Sequence, residues 1–269
     1  MTAPRIITIT SDFGTTDEYV GVMKGVILSR YPEAKIVDIT HDINPGNIKR
    51  AAFLLGRAVP FFPLGTVHLV VVDPGVGSTR RAVALRTGEN FFVAPDNGVL
   101  SVVLDMAPEW TMVSIENPSI RLQPVSSTFH GRDIFAPAAA YLAAGGEFPA
   151  LGPRVPQPVH FPIPRPEVQP EQAIDGEVLY GDNFGNLVTN IPRELVLSTF
   201  GSDIGNEFTI TIAGRKILAI CSSYAAASTG SLVTIFGSDD TLEISISGGS
   251  AAKTLDIGTG ARVKIVWKN

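Results

Sequence analysis

Short apolar, β-branched runs recur through the first half of the chain, and most stop at a polar or acidic residue. Arg5 to Thr10 predicts a first strand, ending at Ser11-Asp12-Phe13-Gly14. A helix is expected next, because Thr15 and Glu18 have capping-box spacing and Val20, Met23 and Ile27 recur on one face. Lys35 to Thr40 predicts a second strand, ending at His41-Asp42. Asn47 is a suitable N-cap for a helix to about Val59 that closes at Pro60. Thr66 to Asp73 predicts a third strand. Strand and helix alternating in this way predict a mostly parallel sheet with right-handed crossovers. Ala82–Arg86 and Phe91–Val93 then read as a hairpin turning at Gly88. Ala94-Pro95-Asp96-Asn97-Gly98 opens another helix, and Trp110–Ile115 forms a further strand. Ser127 to Asp133 leads into an alanine-rich helix that ends at Gly145-Gly146.

The pattern changes after residue 148. Eight of the chain's 20 prolines lie between Pro149 and Pro170, which predicts a stiff, extended linker rather than packed structure. Beyond it, β-rich runs are separated by Gly, Asn, Asp and Ser: Gly176–Tyr180, Glu207–Ile212, Lys216–Cys221, Leu232–Phe236, Thr241–Ser245 and Ala261–Trp267. Even spacing without helices predicts a small antiparallel barrel or sandwich. The expected organisation is α/β: an N-terminal parallel-sheet α/β domain over 1–148, a linker over 149–170, and a C-terminal antiparallel β-barrel domain over 171–269.

Composition narrows the function classes. With 269 residues, 45% hydrophobic and 17% charged, a large core can form. The net charge of −5 and the lack of a basic run argue against nucleic-acid and anionic-membrane partners. Ile6 to Ile9 is too short for a signal-peptide core. The most apolar region, Phe53 to Val72, is broken by Arg57, Pro60, Pro63 and His68, so no membrane span is expected. The lone Cys221 rules out an intrachain disulfide and fits a reducing compartment, so a cytoplasmic location is expected.

The stretch Val70 to Arg81 organises the candidate chemistry. A buried strand ends at Asp73, a loop with Pro74, Gly75 and Gly77 follows, and Arg80 and Arg81 close it. A carboxylate there opens into the crevice where α/β sheets bind ligands. The plainer alternative is a turn cap with a surface ion pair. Asp12 ends strand one on the same edge and suits a ribose diol, or else caps its own turn. Of four histidines, His130, within Phe129-His130-Gly131-Arg132-Asp133, is the most informative. His68 reads as a core residue, His160 as a solvated linker residue, and His41 has no partner nearby in sequence. Arg132 and Asp133 are expected to pair structurally at the helix start. In the second domain, Asp182 to Asn190 carries more hydrogen-bonding side chains than a turn needs, which suggests a polar ligand. Tyr224 either stacks on a base or is an ordinary barrel aromatic, and Gly248 to Ala252 offers exposed backbone groups. No metal-ligand spacing, Walker loop, G-x-G-x-x-G or G-x-S-x-G elbow is present.

Taken in order, these stretches resemble the S-adenosyl-L-methionine (SAM) hydroxide adenosyltransferases, the adenosine-forming SAM hydrolases related to fluorinase and chlorinase. The matching segments are Thr10 to Gly14 with Asp17, Asp73 to Gly77 with Arg80, Ala94 to Gly98, and Phe129 to Asp133. Phe184-Gly185-Asn186 with Thr189-Asn190, and Leu242-Glu243-Ile244 followed by Gly249 to Ala252, complete the set. The resemblance implies hydrolysis of SAM to adenosine and L-methionine without a cofactor or metal. It implies a homotrimer with SAM bound between the N-terminal domain of one subunit and the C-terminal barrel of its neighbour. The implied catalytic residues are Asp73, Arg80 and His130. The implied substrate-binding residues are Asp12, Asp17, Asn97, Phe129, Asp182, Asn186, Tyr224, Ser238, Ala251 and Ala252. Among these, Asp12 would hold the ribose diol, Asp182 the methionine ammonium, Asn186 and the Ala251-Ala252 backbone the adenine, and Tyr224 the base face. Ser250 stands where asparagine is usual, and Val188 where fluorinase has an aromatic.

In that setting Asp73 and His130 would orient and deprotonate water, while Arg80 fixes Asp73 and keeps it charged; either of the first two is a candidate base. The halogenating relatives carry tyrosine where Asp73 stands. A carboxylate about 4 Å from a halide costs about 4 kcal/mol at an effective dielectric near 20. A SAM-dependent halogenase and a non-catalytic SAM- or adenosine-binding module are the alternatives.

Overall fold

The computed structural model describes residues 6–170, 172–201, 208–218 and 220–267. Arg5, Glu171, Glu207 and Ala219, which figure in the expected strands and domain limits, lie outside them. The chain divides into two compact units, Met1–Pro162 and Ile163–Asn269.

The first unit runs β1 (Ile6–Ser11), α1 (Tyr19–Arg30), β2 (Lys35–Thr40), α2 (Ile48–Ala58), β3 (Val67–Val71), β4 (Ala82–Thr87), β5 (Asn90–Pro95), α3 (Ser101–Met106), β6 (Thr111–Ser114) and α4 (Ala136–Ala143). Its sheet has the order β2-β1-β3-β5-β4-β6. The first four strands are parallel neighbours, and β4 pairs antiparallel with β5 and β6. Side chains alternate faces along β3. Val67, Leu69 and Val71 join Ile7, Ile9, Met23, Ile27 and Ala138 in one core, while Val70 and Val72 join Leu55, Val99 and Val103 in the other. Burial on both faces explains why these strands read as continuous apolar runs.

Local signals fared unevenly. Asn47 caps α2, accepting from Arg50 N at 3.0 Å. The Thr15–Glu18 capping box does not form: Glu18 itself occupies the N-cap in a helical conformation, with no side-chain cap bond. The proline-rich stretch is tied along the first unit as far as Phe161. Ser114 N donates to Pro153 O, Val155 N to Met112 O, Val159 N to Asp96 Oδ1 and Phe161 N to Ser101 Oγ, all within 3.0 Å. His160 is exposed, as expected, and also paired, with Nε2 2.8 Å from Asp105 Oδ1.

The second unit runs β7 (Glu167–Gln169), β8 (Ala173–Gly181), β9 (Leu187–Pro192), α5 (Arg193–Phe200), β10 (Phe208–Ile212), β11 (Arg215–Ile217), β12 (Leu232–Phe236), β13 (Thr241–Ile246), α6 (Ala251–Leu255) and β14 (Arg262–Trp267). The strands form an antiparallel sheet of order β11-β10-β14-β8-β9-β13-β12, with β7 beside β8. A bridge between Ile220 and Thr234 brings the two ends together, so the sheet is nearly a barrel around Ile174, Val178, Phe208, Ile210 and Ile265. Two helices interrupt the expected all-β pattern. α5 follows Pro192 with Glu194 in its first turn, and α6 is capped by Ser250 Oγ, which accepts from Lys253 N.

Candidate active site

Ser11 lies opposite Val71 in the parallel pairing of β1 and β3, so Asp12 and Asp73 leave the same edge of the sheet. After Asp73 the chain coils tightly: Val76 N donates to Asp73 O, Ser78 N and Oγ both donate to Gly75 O, and Arg80 N donates to Ser78 Oγ. Gly77 has φ +77°, and a Cβ there would sit 2.4 Å from the carbonyl oxygen of Ser127. Only glycine allows both that conformation and that approach. The loop thereby docks on the segment that carries His130.

The result is a compact polar cluster. Arg80 Nε donates to Asp73 Oδ1 at 2.9 Å and Oδ2 at 3.0 Å, and a terminal guanidinium nitrogen also donates to Oδ2. The same nitrogen lies 2.7 Å from His130 Nδ1. The guanidinium carbon stands 5.2 Å from the Phe135 ring centre, and the Asp73 and Arg80 side chains are only 5% and 10% exposed. Asp73, Arg80 and His130, up to 57 positions apart, are therefore linked directly through Arg80.

That contact dictates a tautomer. A guanidinium has five donors and no acceptor. His130 Nδ1 must accept, so the neutral ring carries its proton on Nε2. Burial and then the Arg80 charge push the His130 imidazole below its ordinary value, against the opposing charges of Asp73 and Asp133. The cluster can present a carboxylate and an imidazole N–H to one small polar molecule.

The other expected residues fall into two groups. Asp12 is half-buried, and its Oδ2 accepts from Gly46 N at 2.8 Å. Asp17 is exposed in the turn before α1. Phe129 forms an aromatic trio with Phe13 and Tyr19, ring centres 6.1 and 5.2 Å away. Asn97 is a stitch: Nδ2 donates to Val72 O and Oδ1 accepts from Val99 N. Arg132 and Asp133 pair as expected, and Asp133 also accepts from Ser126 N. Two further polar residues, one of them within the Ala94 to Gly98 segment, make contacts that sequence spacing does not reveal. His41 is buried with Nδ1 2.8 Å from Ser11 Oγ, and Asp96 is buried against Arg81 and Val159 N. His68 is a core residue, its Nδ1 2.8 Å from Thr8 Oγ1.

In the second unit the surplus of polar side chains is largely absorbed by the fold. Asp182 Oδ1 accepts from the backbone of Phe184 and Asn186, and its Oδ2 from Asn186 Nδ2. Thr189 and Asn190 are buried on β9 and bond to Leu242 O, Glu177 N and Pro164 O. Gly185, at φ +85°, passes so close to Ser250 that a Cβ would lie 1.9 Å from Ser250 Oγ, and its carbonyl accepts from Ala252 N. The Asp182–Asn186 turn and the start of α6, with buried Ala251, thus form one unit. Phe184 is 79% exposed beside it. Tyr224 donates to Glu243 Oε2 at 2.8 Å, and Ser238 lies exposed in the β12–β13 turn.

Residues 7–152 match the family described as SAM hydroxide adenosyltransferase N-terminal domain, and residues 176–264 match its C-terminal domain. The chain belongs to the SAM hydroxide adenosyltransferase family. A protein of Thermus thermophilus named (R)-S-adenosyl-L-methionine hydrolase is 36% identical, over 97% of this chain and 100% of the relative. One of the same name from Salinispora tropica is 35% identical over 96% and 97%. A fluorinase of Nocardia brasiliensis is more distant, at 29% over 97% and 96%. A crystal structure of an uncharacterized conserved protein from Thermotoga maritima superimposes with a TM-score of 0.90 and 37% identity, covering 97% of this chain and 99% of that one. In this SAM hydroxide adenosyltransferase, no group of three or more His, Cys, Asp or Glu among the described residues is placed to hold a metal ion. No helix among them is long and apolar enough to cross a membrane.

Proposed function

We propose that this enzyme hydrolyses SAM to adenosine and L-methionine. Water oxygen forms a bond to ribose C5′ as the C5′–S bond breaks, and both electrons of that bond go to sulfur. Methionine leaves as a neutral thioether and needs no acid, so the demand falls on the nucleophile. The observation that carries this reading is Arg80 bridging Asp73 and His130 Nδ1. With its proton on Nε2, His130 orients the water by donating to it, and the Asp73 carboxylate accepts the proton that water loses. A positioned base contributes roughly 10² to 10⁴ in rate, and in-line orientation adds several kcal/mol. The carboxylate also repels halide, which favours hydrolysis over halogenation.

Asp12 is proposed to hold the ribose diol, and Asp182, which retains lone pairs after three internal bonds, the methionine ammonium. Asn186 and the Ala251-Ala252 segment are proposed to meet the adenine edge and Tyr224 its face, with Asp17, Asn97, Phe129 and Ser238 around the ligand. We further propose a homotrimer that forms each site from two subunits, a cytoplasmic location, and turnover without cofactor or metal. The names of the two hydrolase relatives specify the R sulfonium, and this chain is expected to prefer the same epimer.

The test is incubation of the pure protein with each SAM epimer, with and without chelator, followed by chromatography. Adenosine and methionine in equal amounts, unaffected by chelator, are expected. A 5′-halo-adenosine formed with chloride present, or tightly bound but unchanged SAM, would overturn the assignment. Light scattering should give three times the chain mass.

A further inference from the structure

The loop bearing Asp12 is held by a chain of polar contacts, buried at Ser11 and His41 and opening to the surface at Asp38 and Lys24, that the proposed chemistry does not use. His41 and Ser11 are 5% and 0% exposed. Ser11 Oγ lies 2.8 Å from His41 Nδ1, and His41 Nε2 lies 3.2 Å from Asp38 Oδ1. Asp38 Oδ2 in turn accepts from Lys24 Nζ at 2.5 Å. One set of donors fits the hydrogen bonds among these contacts. Asp38 accepts from Lys24, His41 Nε2 faces Asp38 Oδ1 at ion-pair distance without hydrogen-bond geometry, His41 Nδ1 accepts the Ser11 hydroxyl proton, and Ser11 Oγ accepts from Phe13 N at 3.4 Å. Burial works against the charged form of Asp38, but the Lys24 hydrogen bond, with the nearby His41 ring, outweighs it and holds its carboxyl below the ordinary value.

His41 also acts through its backbone, since its carbonyl accepts from Gly14 N at 2.8 Å. Asp12 is therefore bracketed: Ser11 before it is held by the His41 ring, and Gly14 after it by the His41 carbonyl. From the far side of the same 41–46 loop, Gly46 N binds Asp12 Oδ2, which leaves Oδ1 without a hydrogen bond among the described residues. A histidine kept only to fill space would be more cheaply replaced by an apolar residue. Here both ring nitrogens face polar groups, and the chain they form ends at the residue next to Asp12.

We infer that His41 is a positioning residue that sets the Asp12 carboxylate for a ribose hydroxyl pair, acting through Ser11. This rests on the reading that Asp12 meets the ribose diol. The distinguishing readout is discrimination between hydroxylated and deoxygenated ribose, measured by calorimetry with adenosine and 2′-deoxyadenosine. His41→Ala should weaken adenosine about fivefold to tenfold, the worth of one hydrogen bond of roughly 1 kcal/mol. It should barely affect 2′-deoxyadenosine, so that discrimination shrinks. His41→Asn, whose amide reaches the Nδ1 position, should restore most of the discrimination. His41→Gln, which reaches only the Nε2 position, should not, and the Asn and Gln variants decide the matter if the alanine variant fails to fold. With SAM, His41→Ala should raise KM by a similar factor and leave kcat within about twofold.

Equal weakening of both nucleosides, or equal behaviour of Asn and Gln, would overturn the inference. A wild-type protein that binds adenosine but releases none from SAM would instead refute the hydrolase reading, leaving the binding comparison to judge His41 by itself.

Discussion

Arg80 touches both Asp73 and His130, and because a guanidinium only donates, it assigns each a different task. Adding a proton to His130 Nδ1 would set a cation against Arg80, which agrees with the downward push on this imidazole. A group pushed below its ordinary value of 6.5 is more than half neutral at pH 6.5 and reaches half-charge only further down. The midpoint of the acid limb in the kcat/KM profile is therefore expected below pH 6.5; a loss already half complete at or above pH 6.5 would contradict the downward push that burial and Arg80 exert. At this scale the sequence was informative where partners are close. Asp73 and Arg80 lie seven positions apart, on either side of a glycine turn. His130 stands 50 positions from Arg80, and its membership came from resemblance, since spacing cannot reveal a contact made by folding. Ser11 and His41 show the same limit, because the register of β1 against β2 brings them together and nothing local announces it.

Among the elements, the Asp73–Arg80 loop matters most. It makes no regular structure and owes its shape to Gly77 passing over the Ser127 carbonyl. Gly77→Ala is expected to push the loop off that segment and part Arg80 from His130. Adenosine formation should fall by about 10-fold or more, while the thermal midpoint drops only modestly because the loop is exposed and off both cores. Unchanged turnover in a well-folded Gly77→Ala protein would show that the docking is dispensable. The parallel strands were legible because burial on both faces makes them unbroken apolar runs between helical patterns. α5 and α6 were not. α6 is only five residues long, and Leu187-Val188-Thr189-Asn190-Ile191, taken partly as ligand-binding side chains, is the buried interior of β9. Polar residues inside a small barrel need internal partners, and Thr189 and Asn190 find theirs at Leu242, Glu177 and Pro164.

For the whole molecule, the alternating βα pattern and the proline-rich change of texture conveyed the two-unit architecture, and the units part within that stretch, after Pro162. Assembly is different in kind, since a partner surface leaves no periodic trace in the sequence, so the trimer stands as a proposal. The central claim is that Asp73, with Arg80 and His130, delivers a water molecule to C5′ of SAM. It is tested most directly by the single-turnover rate of adenosine formation in oxygen-18 water, for the wild type and for Asp73→Asn. The wild type should place the label in the 5′-oxygen of adenosine. The variant should bind SAM within about threefold of wild type yet form labelled adenosine roughly 10² to 10⁴ times more slowly. Unlabelled adenosine, or an Asp73→Asn enzyme as fast as the wild type, would contradict the account.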